Sequence, residues 1–204
     1  MKPTMRALIL AAAAATLSIT AASCTATGGA AAGIERPGAA MRGAAPLTLL
    51  GPELKVGDPA PDFRLTRNDM TEARLADFAG KTVLLSCVPS LDTKVCDLET
   101  RRFNEEASKN LPDVTVLTVS MDLPFAQARW CAAHDIASVI TLSDYKTHDF
   151  GRAYGVLIKE MGLLARTIFV IGTDGRIRYI QRVHDITQEP DYAAALSAAR
   201  AAAK

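Results

Sequence analysis

Residues 83–88 read Val-Leu-Leu-Ser-Cys-Val and are closed by Pro89. A short aliphatic run of this kind is a buried strand. Proline has no N–H for a ladder, so the strand ends there. Beyond Asp92-Thr93 the apolar residues Val95, Leu98 and Phe103 recur at helical spacing, with arginines and glutamates between them. A buried strand running directly into an amphipathic helix is the unit from which layered α/β sheets are built. Cys96 falls in the first turn of that helix. The thiolate, not the thiol, is the nucleophile, and free N–H groups with a partial positive charge at a helix N-terminus favour an anion. Asp92 or Thr93 can cap the helix, and the Thr93 hydroxyl is spaced to reach Cys96 over the same turn. On position alone, Cys96 reads equally as a small buried hydrophobe.

The rest of the chain repeats the alternation. Val114–Ser120 is β-branched and alternating, hence a strand. Asp122 is placed to cap, and Pro124 to start, a helix carrying Phe125, Ala128, Trp130 and Cys131. A short strand at Val139–Leu142, a helix near His148–Tyr154 and an apolar strand at Thr167–Ile171 follow. Thr173-Asp174-Gly175 turns the chain into Ile177–Ile180, and the alanine-rich stretch from Tyr192 to Lys204 is a closing helix. Ahead of the first strand, two prolines make Leu54–Phe63 an edge segment, and Asn68-Asp69 marks a turn. This pattern predicts an α/β domain with a central mixed sheet flanked by helices.

The N-terminus is different. Lys2 and Arg6 precede an apolar, alanine-rich run from Ala7 to Thr20, and Thr20-Ala21-Ala22-Ser23 places small residues before Cys24. This is an export-signal pattern. It resembles a bacterial lipoprotein signal, which implies cleavage after residue 23 and lipid at Cys24. The rival is ordinary cleavage leaving Cys24 near a free terminus. The apolar run is short for a membrane span. Residues 25–52 are rich in Ala, Gly, Thr and Pro and read as a flexible linker. The expected organisation is a signal peptide at 1–23, an anchor cysteine and linker at 24–53, and one folded domain at 54–204, exported and membrane-tethered.

Net charge is +1, from 23 basic and 22 acidic residues, and no basic stripe points to nucleic acid. There is no Gly-rich phosphate loop. The three histidines, His134, His148 and His184, lack metal-ligand spacing, so no metal site is expected. None of the four cysteines, Cys24, Cys87, Cys96 and Cys131, forms Cys-x-x-Cys. Cys87 lies within the first strand and reads as an inert buried thiol. Taken alone, Cys131 is a core residue beside Trp130, and Arg166 is a surface arginine.

The stretch Pro89-Ser90-Leu91-Asp92-Thr93-Lys94-Val95-Cys96 resembles the peroxidatic motif of the peroxiredoxins, in particular the bacterial thiol peroxidases, a subgroup with an atypical two-cysteine mechanism. Gly57-Asp58-Pro59-Ala60-Pro61-Asp62-Phe63 resembles the opening of the same family, and the likeness runs from about Leu54 to the C-terminus. It implies a thioredoxin-like fold and cofactor-free reduction of hydrogen peroxide or organic hydroperoxides. It also implies roles: Cys96 as peroxidatic cysteine, Thr93 and Arg166 as peroxide-orienting groups, Pro89 as the shield of the pocket, and Cys131 as the resolving cysteine in an intramolecular disulfide with Cys96. A thioredoxin-like dithiol is implied as reductant and a homodimer as assembly. The same cysteines would serve a second reading, a membrane-tethered redox sensor that passes its disulfide to a partner. Peroxide turnover separates the two.

Overall fold

The computed structural model describes residues 33–204. The expected signal peptide at 1–23 and the expected anchor Cys24 lie outside the described residues.

The run at Val83–Val88 supplies β5 (Thr82–Cys87), every residue of which is buried. It sits in the interior of a seven-stranded mixed sheet of order β10-β9-β5-β6-β7-β3-β4, next to the central strand. β6 (Val114–Ser120) pairs with it in parallel, and β7 (Val139–Ser143) continues in parallel beyond β6. β9 (Thr167–Ile171) pairs antiparallel on its other side and carries β10 (Ile177–Arg182) at the edge. β3 (Arg64–Arg67) and β4 (Glu72–Arg74) form the opposite edge, joined through the Asn68-Asp69 turn.

Side-chain alternation along β5 separates two cores. Leu84 faces α1 (Lys94–Asn110) and α4 (Tyr192–Ala202), packing with Phe103, Val170 and Leu196. Val83, Leu85 and Cys87 face the other side, with Phe169, Tyr154 and Phe150, the last from α3 (Asp149–Ala153). α2 (Pro124–Ala133) packs against β7. The fold is therefore α/β, a mixed sheet with helices on its faces, as the alternation predicted.

Three expectations need correction. Residues 24–53 are not a linker throughout. β1 (Glu35–Arg42) and β2 (Ala45–Leu50) form an antiparallel hairpin, and β2 pairs with β8 (Leu157–Ile158) in a second, three-stranded sheet. The hairpin is held because Ala40, Leu47 and Leu49 are buried against Ile158, Ala165 and Ile186. At its exit, Gly51 and Gly155 approach so closely that a Cβ on either would lie 1.9 Å from a backbone carbonyl oxygen. The folded part therefore includes the hairpin, which lies well before Leu54. The second correction is the phase of α1. Its buried stripe is Cys96, Glu99, Thr100 and Phe103, whereas Leu98 is exposed. The third is the start of α2, where Leu123 is the N-cap and the Asp122 side chain bonds elsewhere.

Among the described residues, no helix is long and apolar enough to cross a membrane, and no group of three or more His, Cys, Asp or Glu side chains is placed to hold a metal ion.

Candidate active site

Cys96 is the third residue of α1 and is fully buried. It packs with Val88, Leu91 and Trp130 in a small apolar cluster. Two side chains reach its sulfur. Thr93, the N-cap residue, places Oγ1 2.8 Å from Cys96 Sγ and 3.0 Å from the Ser90 carbonyl oxygen. A hydroxyl has one proton to donate. It therefore donates to Ser90 while a thiol donates to it, and turns to donate to the sulfur of a thiolate. Arg166, the residue before β9, places Nη2 3.4 Å from the same sulfur.

The position of Arg166 is fixed by three hydrogen bonds to two partners. Nε and Nη2 donate to the Ile186 carbonyl at 3.1 and 2.9 Å. Nη1 donates to Glu99 Oε2 in an ion pair whose side chains are 1% and 0% exposed. Glu99 is held in turn by Ser86 Oγ, which donates to Oε1 at 2.6 Å from the α1 side of β5. Burial pushes the Glu99 carboxyl up from its ordinary range, against the pull of Arg166 and Ser86. On Arg166 burial acts downward, and the charges of Glu99 and Cys96 outweigh it, so the guanidinium is held protonated. The pair is ionised, because a guanidinium does not give up its proton in a protein and Glu99 is its counter-charge.

Ile186 connects the site to the N-terminal hairpin. Its N–H donates to the Met41 carbonyl at 2.9 Å, and Met41 N–H donates to His184. The hairpin thus holds the strand-like segment whose carbonyl orients Arg166.

Pro89 is buried at the end of β5. With Thr93, Val95, Met161, Leu163 and Arg166 it lines an apolar pocket of about 250 Å³, with Arg42 of the hairpin at its rim. That is room for several water-sized molecules. A roomier cleft between Ala60, Phe78 and Ile171 is lined by no cysteine.

Cys131, on α2, borders the apolar cluster that contains Cys96. Thr141 Oγ1 lies 3.4 Å from its sulfur, and Asn68 Nδ2 donates to it at 3.8 Å. Cys87, Cys96 and Cys131 are all free thiols in this structure. Cys87 lies on the sheet face away from α1. Burial, with Glu99 and Asp144 adding to it, holds its thiol well above the ordinary range. That fits an inert core residue.

The structure thus brings Pro89, Thr93, Cys96 and Arg166 into one site, with Cys131 at its border. Sequence reasoning did not reach Glu99, and it read Asp122 only as a helix cap. Asp122 accepts from Ser90 Oγ and Leu91 N–H, both at 2.7 Å, and ties the loop before α1 to the start of α2. Glu99 was within reach of sequence reasoning, since Cys96, Glu99 and Phe103 share one helical face.

This chain is similar to known proteins over most of its length. The model of the Redoxin family matches residues 55–196. The thiol peroxidase of Bacillus subtilis (strain 168) is 53% identical over 159 residues, covering 78% of this chain and 95% of its own length. The thiol peroxidase of Halalkalibacterium halodurans is 54% identical over 157 residues, covering 77% and 94%. Among solved structures, the peroxiredoxin-like protein from Aquifex aeolicus superposes with a TM-score of 0.76 at 39% identity, covering 83% of this chain and 99% of that one. With a buried cysteine at a helix N-terminus, a threonine and an arginine on its sulfur, and this kinship over most of the chain, the protein belongs to the Redoxin family and is a thiol-dependent peroxidase of the peroxiredoxin type.

Proposed function

We propose that Cys96 is the peroxidatic cysteine and Cys131 the resolving cysteine of an intramolecular two-cysteine cycle. The observation that carries this reading is the convergence of Thr93 Oγ1 and Arg166 Nη2 on the Cys96 sulfur. The Cys96 thiolate attacks one peroxide oxygen and the O–O bond breaks. Sulfur becomes a sulfenic acid, and the departing oxygen takes a proton to leave as water or an alcohol. Arg166 and Thr93 orient the peroxide and stabilise charge on the leaving oxygen. Pro89 and its apolar neighbours keep bulk water from the sulfur. Cys131 then displaces hydroxide from the sulfenic sulfur, giving a Cys96–Cys131 disulfide and water. A dithiol protein reduces the disulfide by exchange. No residue in this cycle calls for a metal or organic cofactor.

Peroxide consumption with a dithiol reductant tests the assignment. Cys96→Ser abolishes it, Cys87→Ala retains most of it, and Cys131→Ser halts after one equivalent with sulfenic acid on Cys96. Non-reducing peptide maps then show a Cys96–Cys131 link within one chain. A dead Cys87→Ala variant that remains folded, or an active Cys96→Ser variant, overturns the reading.

The N-terminus supports export and a lipid anchor at Cys24, with only residues 25–34 between that cysteine and β1. The reductant is then an extracytoplasmic thioredoxin-like protein. Labelled fatty acid incorporated by the full chain and lost in Cys24→Ala tests the anchor. Sedimentation of the reduced protein tests the homodimer that the family resemblance implies.

A further inference from the structure

Asp97 follows Cys96 in α1, and Trp130 precedes Cys131 in α2. The Trp130 indole donates from Nε1 to Asp97 Oδ1 at 3.2 Å. The same carboxylate oxygen lies 3.3 Å from His134 Nε2. Its other oxygen pairs with Arg101 one turn along α1, at 2.9 Å. His134 stacks on the Trp130 ring with centroids 4.8 Å apart, and its Nδ1 lies 2.9 Å from the Trp130 carbonyl oxygen, which can only accept. Trp130 is 8% exposed and packs in the cluster around Cys96. One carboxylate thus joins the two helices, at the residues adjoining the two redox cysteines.

We propose that Asp97 is a positioning residue that clasps α1 to α2 and sets the rate at which Cys131 resolves the sulfenic acid at Cys96. The proposal rests on the two-cysteine cycle given above. In the resolving step, Cys131 sulfur bonds to Cys96 sulfur, the Cys96 S–O bond breaks, and hydroxide leaves with the Cys131 proton as water. A disulfide requires Cβ atoms about 3.5–4.5 Å apart. Both cysteines sit inside regular helices with unbonded sulfurs, and in this proposal one helix or both unwind locally to join them. Unwinding the first turn of α1, or the last of α2, pulls Asp97 away from Trp130 and His134. The clasp therefore opposes resolution while leaving the peroxide site assembled. It prolongs the sulfenic acid and exposes it to a second peroxide, which yields sulfinic acid.

Two substitutions separate the clasp from other roles of Asp97. Asp97→Ala removes the clasp, and it also removes a negative charge from the N-terminal turn of α1, where it favours the helix. Trp130→Phe keeps an aromatic ring and the charge of α1, and removes the indole donor together with part of the buried ring. The reduced full chain is mixed with one equivalent of hydrogen peroxide, quenched in acid, alkylated and weighed. Sulfenic acid formation keeps its second-order rate in both variants. Disulfide formation accelerates roughly tenfold in Asp97→Ala, the scale of one charge-assisted hydrogen bond, and several-fold in Trp130→Phe. Sulfinic acid under excess peroxide falls in proportion. In the double variant the effects do not multiply. A disulfide step unchanged or slowed while the sulfenic step is intact overturns the proposal, as do effects that multiply. Should Asp97→Ala fail to fold, Trp130→Phe decides alone. The parent reading is checked separately by Cys131→Ser. If an intramolecular step persists there, Cys131 is not the resolving cysteine, whatever the clasp variants do.

Discussion

Arg166 Nη2 stands 3.4 Å from Cys96 Sγ, although the two are 70 residues apart and lie on different elements. The arginine is oriented before any substrate arrives, because three further hydrogen bonds tie it to Glu99 and the Ile186 carbonyl. Preorganised charge of this kind is most effective where water is excluded.

Replacing Arg166 by lysine tests this preorganisation. Lysine keeps the charge but loses the planar fork, so it cannot hold Glu99, Ile186 and the sulfur together. The expected loss is on the order of 10²–10³ in the rate of peroxide attack. Stopped-flow measurement of sulfenic acid formation reads it directly. A near-normal rate would mean that charge alone suffices.

Glu99 is predicted to matter for stability as much as for chemistry. Glu99→Ala leaves the buried guanidinium without its counter-charge, at a cost of about 3–5 kcal/mol. Glu99→Gln retains a hydrogen-bonding side chain and costs less, about 1–3 kcal/mol. Urea unfolding ranks the two. The peroxide step slows in both, because Arg166 loses one of its anchors.

These two residues show what was legible in the sequence. β5 and β9 are nearly continuous apolar runs and β6 alternates β-branched residues, and that length or period identified them. The motif from Pro89 to Cys96 placed the nucleophile. Arg166 was reached only through family resemblance, and Glu99 was not reached at all. On a helix a glutamate reads as a solvated residue, and the one local sign against that, its place on the face of Cys96 and Phe103, does not name Arg166, far along the chain, as its partner. The hairpin Glu35–Leu50 was misread as linker for a related reason. Four of its apolar residues are small alanines, and its burial depends on Ile158, Ala165 and Ile186. Gly38, at positive φ within β1, and a register shift between Arg36 and Ala40 break the strand's regular alternation.

The docking of that hairpin can be checked at glycine. Gly155 has φ +63°, and a Cβ there meets the Pro52 carbonyl oxygen at 1.9 Å. Gly43, at the hairpin tip, has φ +58° with nothing within 4 Å. Gly43→Ala bears only the backbone penalty, about 1–2 kcal/mol. Gly155→Ala must also displace backbone and is expected to lose about 4 kcal/mol or more. Thermal melts of both variants give the comparison. Equal losses would mean that residues 50–52 are not packed against the end of α3.

The last prediction concerns pH and a carboxylate outside the active site. Asp144 is 2% exposed at the end of β7. Its Oδ2 accepts from Gly151 N–H at 2.8 Å and its Oδ1 from Phe150 N–H at 3.3 Å, which tethers α3 to the sheet. Burial raises its pKa to about 6, against the pull of those two N–H groups and of His148. The unfolded chain titrates near the ordinary value of 3.8. Between these values the folded state binds more protons than the unfolded one, so stability falls as pH rises. The contribution is present below about pH 3.8 and lost by the time pH passes about 6. At 1.36 kcal/mol per unit, the loss is about 2–3 kcal/mol. Asp144→Asn keeps a carbonyl acceptor and removes the titration. Urea unfolding of both proteins at pH 4 and pH 7 isolates this group, because Glu99 and the other carboxyls titrate alike in each. The wild type is expected to lose about 2–3 kcal/mol relative to the variant on going to pH 7. A wild type that gains on the variant over that interval would show that the two backbone donors, not burial, govern Asp144.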